Sequence, residues 1–271
     1  MAAKPASAGI KASTELPFDE ALRFFRGKAN MPTTTWRDVM REQHDGAFMV
    51  AGVTKADLLG DIRGAVDQAI ESGITLEDFQ KDFERIIAKH GWVPKQAVAW
   101  RARTIYETNL RTAYAAGRHA QLTDPAFLKR NPYWEWRHGG SVHPRPQHLA
   151  WNGMVLPATD SFWASHSPPD GWGCKCKKVA HSASSLRRNG LEVGAAPGAA
   201  TSEEGWDYSP GASVADRVRP VVEEKAKAIG GGIGQDLRRE MEAFLKATAG
   251  TTADTLRGQG FRAILPKRGG A

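Results

Sequence analysis

The sequence predicts an α+β protein with a predominantly helical N-terminal platform and a small, irregular β-module. Three observations indicate this class. Apolar residues recur at helical spacing through the first half of the chain. That periodicity stops near residue 130, where tryptophans, prolines, glycines and histidines crowd together. After residue 186 the chain is rich in Gly, Ala, Ser and Pro, which indicates a linker before a flexible or extended helical C-terminal arm.

These changes in composition divide the chain into five segments. Residues 1–14 are small and polar and are predicted to form a flexible tail. Residues 15–128 form the helical domain, and residues 129–185 form the aromatic module that carries the His and Cys cluster. A linker over 186–215 then leads to a helical arm over 216–271, which ends in a basic tail.

The helical domain is predicted to begin with a short helix through Phe25. Proline and two acids at residues 17–20 suit a first helical turn, where the missing N–H and the helix dipole favour them. A longer amphipathic helix follows. Thr54 and Asp57 have the spacing of a capping box, and apolar residues repeat at helical spacing until Gly73.

Two further helices complete the domain. Thr75 and Asp78 repeat the capping-box spacing and open a helix that stops at Gly91, so that it forms a hairpin with the preceding helix. A third apolar stripe predicts a long helix over residues 95–121. We expect the β-module to dock on this long helix.

Short elements are predicted beyond the platform. The sequence YWEWR at 133–137 favours a strand, the Asn-Gly pair at 152–153 is a hairpin signal, and residues 154–156 are predicted as the returning strand. In the arm, helices are predicted over 218–229 and 236–247, because the glycines between them break the helical pattern.

The cysteines of the chain point to a metal site. Cys174 and Cys176 are separated by one residue, a strained spacing for a disulfide but a workable one for two metal ligands. In a loop-rich module, a structural zinc ion would contribute folding free energy that a small core lacks. The four ligands are expected from the set His143, His148, His166, Cys174 and Cys176. Alternatively, the cysteines are small buried residues and the histidines bond to loop carbonyls.

No enzymatic motif accompanies this cluster. The only carboxylates of the module are Glu135, Asp160 and Asp170, and the chain has no HExxH, GxSxG or P-loop spacing. A metallonuclease needs an open coordination position with carboxylates nearby. We therefore predict a non-enzymatic protein and keep a metal-dependent nuclease as the alternative.

Basic charge is concentrated in the middle of the chain. The formal net charge is +7, and residues 97–185 alone hold 11 basic and 5 acidic side chains, a net charge of +6. This excess favours contact with phosphates or an acidic protein surface, although a solvated basic face is an equal alternative. The module's aromatic rings either stack on single-stranded bases or fill its core. The candidate nucleic-acid contacts are Arg101, Arg111, Arg145, Lys175, Lys177 and Lys178.

No membrane partner is expected. No stretch approaches the roughly 18 to 20 apolar residues of a membrane helix. The N-terminus also lacks the basic and then apolar layout of a signal peptide, so cytoplasmic synthesis is expected.

A motif with five recurring elements runs through the module. These elements are an Arg-Pro-x-His segment at 145–148, Gly153, an Asp-x-Phe-Trp segment at 160–163, the Pro-Pro pair at 168–169 and a Gly-Trp-Gly-Cys-x-Cys run at 171–176. Together they resemble the signature of the phage Mu F-like head-morphogenesis family. Upstream helical segments and the GWDYSPG stretch extend the resemblance to about residues 15–211.

The resemblance implies a minor capsid protein of a tailed double-stranded DNA phage, present in few copies and associated with the portal protein. It would aid head assembly, or genome packaging or ejection, and would not be an enzyme. Major capsid or scaffold protein and packaged DNA are further implied partners. The implied location is the virion, in the head interior or at the portal vertex, and the host cytoplasm during assembly. Metal binding by the His and Cys positions is also implied. The alternative is a metal-dependent nuclease or DNA-binding factor carried in the virion.

Overall fold

The computed structural model describes residues 18–38, 43–198, 200–212 and 225–248. The predicted N-terminal tail, the first part of the arm and the basic C-terminal end lie outside these residues. The described part confirms a mixed and mostly helical α+β architecture. None of the described helices is both long and apolar enough for a transmembrane span.

Helices and strands follow one another in the order that the sequence predicts, with several short elements added. The helices are α1 (Asp19–Arg26), α2 (Gln43–Gly46), α3 (Ala56–Ser72), α4 (Leu76–His90), α5 (Val98–Leu122), α6 (Pro125–Arg130), α7 (Pro146–Ala150), α8 (Phe162–Ser165), α9 (Ala183–Asn189) and α10 (Gly231–Thr248). The strands are β1 (Ala29–Asn30), β2 (Ala47–Phe48), β3 (Tyr133–Arg137), β4 (Val155–Pro157) and β5 (Lys177–His181). A short 3₁₀ turn covers Trp36–Asp38.

The platform is built on the helices that the apolar stripes predict. Phe25, Ile62 and Phe83 come from α1, α3 and α4, and all three are fully buried in one core cluster. Helix α1 also lies directly against α5. A Cβ atom on Gly117 would sit 2.7 Å from the backbone nitrogen of Ala21, so this close approach requires glycine. The long helix α5 therefore packs closely against α1 in the platform.

The two predicted capping boxes have different outcomes. Thr75 caps α4, because its hydroxyl accepts a hydrogen bond from the Asp78 backbone N–H at 3.2 Å. The prediction of a capping box at Thr54 is wrong. The N-cap of α3 is Lys55, which makes no side-chain cap. Because Thr54 lies one residue outside the helix, its hydroxyl is not positioned to accept from the first turn.

These two threonines form a matched pair of variants. Thr75→Ala leaves a helix N–H without its acceptor and is expected to lower the free energy of unfolding by about 1 kcal/mol. Thr54→Ala removes no cap and is expected to change it by less than about 0.5 kcal/mol. Urea denaturation followed by circular dichroism measures both. Equal effects of the two substitutions would contradict the assignment of the cap to Thr75.

A three-stranded antiparallel sheet in the order β4-β3-β5 forms the module. The predicted strand and its returning partner are confirmed as β3 and β4. They are not joined by a tight hairpin, because α7 lies between them. The Asn152-Gly153 pair instead turns the chain from α7 into β4. Gly153 has a φ of 84°, and the Asn152 side chain accepts from the His138 N–H at 2.8 Å. Strand β5 was not predicted.

Aromatic side chains fill the core of the module and attach it to α5. Trp136 is fully buried and packs edge-on against Trp151 and Phe162, with ring centroids 4.9 and 6.2 Å apart. Leu122, the last residue of α5, belongs to the same cluster as Trp134. The predicted docking on the long helix is therefore confirmed, and most rings of the module are core residues.

The described residues 190–198 and 200–212, called the strap below, connect the module back to the platform. Val193 forms a bridge with Val155 of β4, and Trp206 and Tyr208 are buried. At the far end, the Gly211 N–H donates to the Asp45 carboxylate at 2.7 Å. The composition of this stretch predicts a linker or extended arm, and the described residues contain turns and one isolated bridge, with contacts at both ends.

Helix α10 returns to the N-terminal part of the chain. Leu237 is buried, and the Glu240 carboxylate accepts a hydrogen bond from the Asn30 N–H of β1 at 3.1 Å. The helix begins earlier than predicted. Only Gly230 separates it from the helical turn at 225–229, and both Gly230 and Gly231, the first residue of α10, have positive φ angles.

One lysine is enclosed in the platform. Lys28 is 2% exposed, lies 4.6 Å above the Phe24 ring and donates to the His44 carbonyl. Burial lowers its pKa from 10.5 to about 8; the Asp45 carboxylate opposes this shift, and Arg63 adds to it. Between these two pH values the unfolded chain binds more protons than the folded one, so stability rises with pH.

A pH titration tests this enclosure. The free energy of unfolding is expected to rise from pH 8 to pH 10 by on the order of 1 to 3 kcal/mol through Lys28. In Lys28→Met this contribution disappears, and the difference between the two denaturation curves measures it. Parallel pH dependence of the two proteins would contradict a depressed lysine pKa.

Candidate metal centre

Three of the predicted metal ligands meet at the edge of the module. His148 lies in the short helix α7, and Cys174 and Cys176 lie in the loop that enters β5. The loop turns tightly, because Gly171 and Gly173 both have positive φ angles and the Cys174 N–H donates to the Gly171 carbonyl at 3.1 Å. This turn brings both thiols to the imidazole.

The distances within this cluster fit one tetrahedral metal ion. The Nδ1 atom of His148 lies 3.7 Å from the Cys174 sulfur and 3.8 Å from the Cys176 sulfur. All three donor atoms lie within 4.8 Å of one another. A tetrahedral zinc ion, with bonds of about 2.3 Å to sulfur and about 2.0 Å to nitrogen, separates such donors by roughly 3.6 Å. The cluster could therefore hold a metal with little movement.

A buried carboxylate orients the histidine. The Nε2 atom of His148 lies 3.5 Å from the Asp170 carboxylate, which also approaches His166 Nδ1 at 3.4 Å. Asp170 is 1% exposed, and its second oxygen has no hydrogen-bond partner among the described residues. A metal-bound histidine commonly directs its other ring nitrogen to a carboxylate, which fixes the orientation of the ring. Asp170 stands in that position.

The electrostatics of the cluster favour a thiolate. A hydrogen bond from the Cys176 thiol lowers the pKa of Cys174 to about 4, with further help from His148 and against the effect of burial. The same contact with Cys174, together with burial, raises the pKa of Cys176. Burial lowers the pKa of His148, but its contacts with Asp170 and Cys174 outweigh this and raise it to about 9. A thiolate beside a second thiol is a donor set that soft divalent metals prefer.

The other two predicted ligands lie apart from the three donors. His143 is exposed in the loop before α7. His166 is buried, but its Nδ1 atom faces Asp170 and the Ser202 hydroxyl, which is 3.1 Å away. His166 thus reaches the cluster only through Asp170. Among the described residues, the group of possible ligands consists of His148, Cys174 and Cys176.

The strap contacts the segments that carry the cluster through an ion pair and a hydrogen bond. Glu203 forms an ion pair with Arg145 and accepts a hydrogen bond from the Trp172 N–H at 2.8 Å. Arg145 also donates to the Trp172 carbonyl at 2.9 Å. The segments that carry His148 and Cys174 are therefore tied together. Sequence reasoning missed Asp170 and Glu203 as parts of the site. The Pro-Pro-Asp-Gly run marks Asp170, whereas nothing in the sequence marks Glu203.

Two of the predicted nucleic-acid contacts point into the protein. Arg101 is 9% exposed and donates to the Ala51 carbonyl. Lys178 lies 4.7 Å above the Trp134 ring and donates to the Ser167 hydroxyl at 2.9 Å. Lys178 presents its charge to no open surface, whereas the mostly buried Arg101 borders a cleft beside α5.

The remaining four contacts are spread over different surroundings. Arg111 pairs with Glu107 at 2.9 Å within α5. Arg145 is held by the strap, and Lys175 and Lys177 are exposed. The six basic residues therefore do not form one continuous phosphate-binding surface.

The fold and the cluster define a helical-platform protein that carries a candidate Cys₂His metal centre. Residues 60–179, which include all three candidate ligands, match the family model described as "Phage Mu protein F like protein". Over this region the chain is similar to the phage Mu protein F-like family.

Curated relatives extend the similarity. Protein F of Escherichia phage Mu, which is named for a role in capsid assembly, is 36% identical over 195 residues, or 67% of this chain and 44% of that protein. The Mu-like prophage FluMu F protein of Haemophilus influenzae is 31% identical over 208 residues, or 72% of this chain and 50% of that protein. The chain thus spans about half the length of these relatives. No solved structure gives a significant match.

Proposed function

We propose that this chain is a head-morphogenesis protein that takes part in capsid assembly of a tailed double-stranded DNA phage. The observation that carries the proposal is the 36% identity, over 195 residues, to a phage Mu protein named for capsid assembly. The composition is consistent with such a role, because the chain combines a packed helical platform with a basic middle. In this role the chain acts through binding, without catalysis.

A structural zinc ion bound by His148, Cys174 and Cys176 is part of the proposal. Zinc supplies folding free energy to small modules of this kind. His148 and Cys174 are 4% and 3% exposed, which supports a structural role over a catalytic one. The described residues supply three of the four predicted ligands, so a closed structural site requires a further group at the fourth tetrahedral position. Asp170 keeps the His148 ring in place.

The proposed partner is the portal protein, with few copies of the chain in each head. Major capsid or scaffold protein and packaged DNA are further proposed neighbours. Affinity-tagged chain, expressed together with the portal, major capsid and scaffold proteins of its own phage, is expected to copurify with the portal protein. Retention of the capsid or scaffold protein alone would contradict portal association but would still support a role in head assembly. Copurification of none of them would overturn the proposed function.

A further inference from the structure

A cleft of about 600 Å³ lies between α5 and the loop that carries Trp172. We propose that this cleft binds a nucleotide of single-stranded nucleic acid, with the phosphate near Arg101 and Arg103 and the base against an exposed tryptophan. Arg101 and Arg111 are sequence-predicted contacts that both line the cleft. The inference is independent of the metal centre and goes beyond a role in head assembly.

Arg101 is a buried cation that forms no ion pair with the described residues. Arg101 lines the cleft, yet its side chain is nine-tenths buried. One terminal nitrogen donates to the Ala51 carbonyl, and its Nε atom has no hydrogen-bond partner among the described residues. Burial lowers its pKa, and no carboxylate opposes this shift. A buried unpaired charge is costly, so a bound anion would be stabilised here.

Further charged side chains lie around Arg101 in the cleft. Arg103 also lines the cleft, is exposed and forms no ion pair with the described residues. Arg111 forms an ion pair with Glu107, one turn earlier on α5, and the guanidinium and carboxylate groups are 2.9 Å apart. The cleft therefore has one exposed arginine, Arg103, beside the mostly buried Arg101, and its one acidic side chain is already paired.

Two exposed tryptophans give the cleft an aromatic surface. Trp100 and Trp172 both line the cleft and are 52% and 40% exposed. They differ from Trp134, Trp136 and Trp151 of the module, which are core residues. Exposed rings beside arginines are the usual means of binding single strands without sequence preference, because every base has a face that can stack.

A nucleotide fits these features better than an acidic peptide does. The cleft has a size typical of small-molecule sites. Its lining comes from helices and loops, with no strand among the lining residues, so a peptide could not add a strand to a sheet edge there. A nucleotide brings the anion and a flat ring together, as the arginines and tryptophans require.

Fluorescence anisotropy with a labelled ten-residue oligo(dT) tests the proposal on the full chain. Trp100→Ala is expected to raise the Kd by about 5- to 100-fold. Arg103→Gln is expected to reduce the slope of log affinity against log salt by about 0.7. The control is Arg85→Gln on α4, which removes an exposed arginine outside the cleft and should change neither value. All three side chains are exposed, so the variants are expected to fold.

Three results would overturn the proposal. These are the absence of oligo(dT) binding, equal weakening by Arg85→Gln, and unchanged binding in both cleft variants. A glutamate-rich peptide serves as the competitor. If it binds and depends on Trp100 and Arg103 whereas oligo(dT) does not, the cleft is a protein-docking site instead.

Discussion

Removal of the proposed zinc ion is expected to lower the melting temperature of this protein by about 8 to 16 °C. A ligand present at a thousand times its Kd stabilises the folded state by about 4 kcal/mol, and in a chain of this size each kcal/mol shifts the melting temperature by roughly 2 to 4 °C. Calorimetry with and without a strong chelator measures the shift. The Cys174→Ser, Cys176→Ser double variant should melt at the chelated value and should not respond to chelator.

His143→Ala is the matched control for this prediction. Its imidazole belongs to the sequence-predicted ligand set but lies outside the cluster of three donors. The variant should keep one zinc ion per chain by elemental analysis and should melt like the parent protein. A parent chain without stoichiometric zinc, or zinc loss in His143→Ala equal to that of the cysteine variant, would contradict the proposed ligand set.

Trp136→Ala is expected to lower the free energy of unfolding by about 3 to 5 kcal/mol. The ring is fully buried at the centre of the module, and its centroid lies 4.9 Å from that of Trp151 and 5.1 Å from that of His148. Truncation removes these contacts and leaves a cavity beside His148, the proposed metal ligand. Zinc affinity should therefore fall as well. Equilibrium denaturation and a zinc titration measure the two effects.

The exposed tryptophan of α5 provides the comparison. Trp100→Ala removes a ring of the same size that is 52% exposed. Its effect on the free energy of unfolding is expected to stay below about 0.5 kcal/mol, with zinc affinity unchanged. An effect of Trp136→Ala no larger than that of Trp100→Ala would contradict a stabilising role of the aromatic core.

Local patterns predicted the elements that rest on local physics. Helical apolar spacing located α3, α4 and α5, and the Thr75 box located a true cap. The aromatic strand β3 was visible because bulky residues favour strands. Strand β5 was missed, since the KKVAH sequence at 177–181 has little apolar alternation and pairs with β3 only through tertiary contact.

The candidate site was also predicted only where local sequence determines it. Two cysteines one residue apart signalled a metal centre, but the choice among three histidines depends on how loops fold in space. His148 reaches the thiols because α7 places it there, whereas His166 is turned to Asp170. Glu203 acts on Arg145 across 58 residues of sequence. Neither spacing nor composition encodes such a contact.

Quantitative mass spectrometry of gradient-purified phage heads tests the proposed role in head assembly. Peptides of this chain are expected to copurify with assembled heads at a fixed ratio of few copies per head, below that of the major capsid protein. The Cys174→Ser, Cys176→Ser variant is expected to be incorporated less. Heads that assemble and purify without this chain would contradict a role in head assembly.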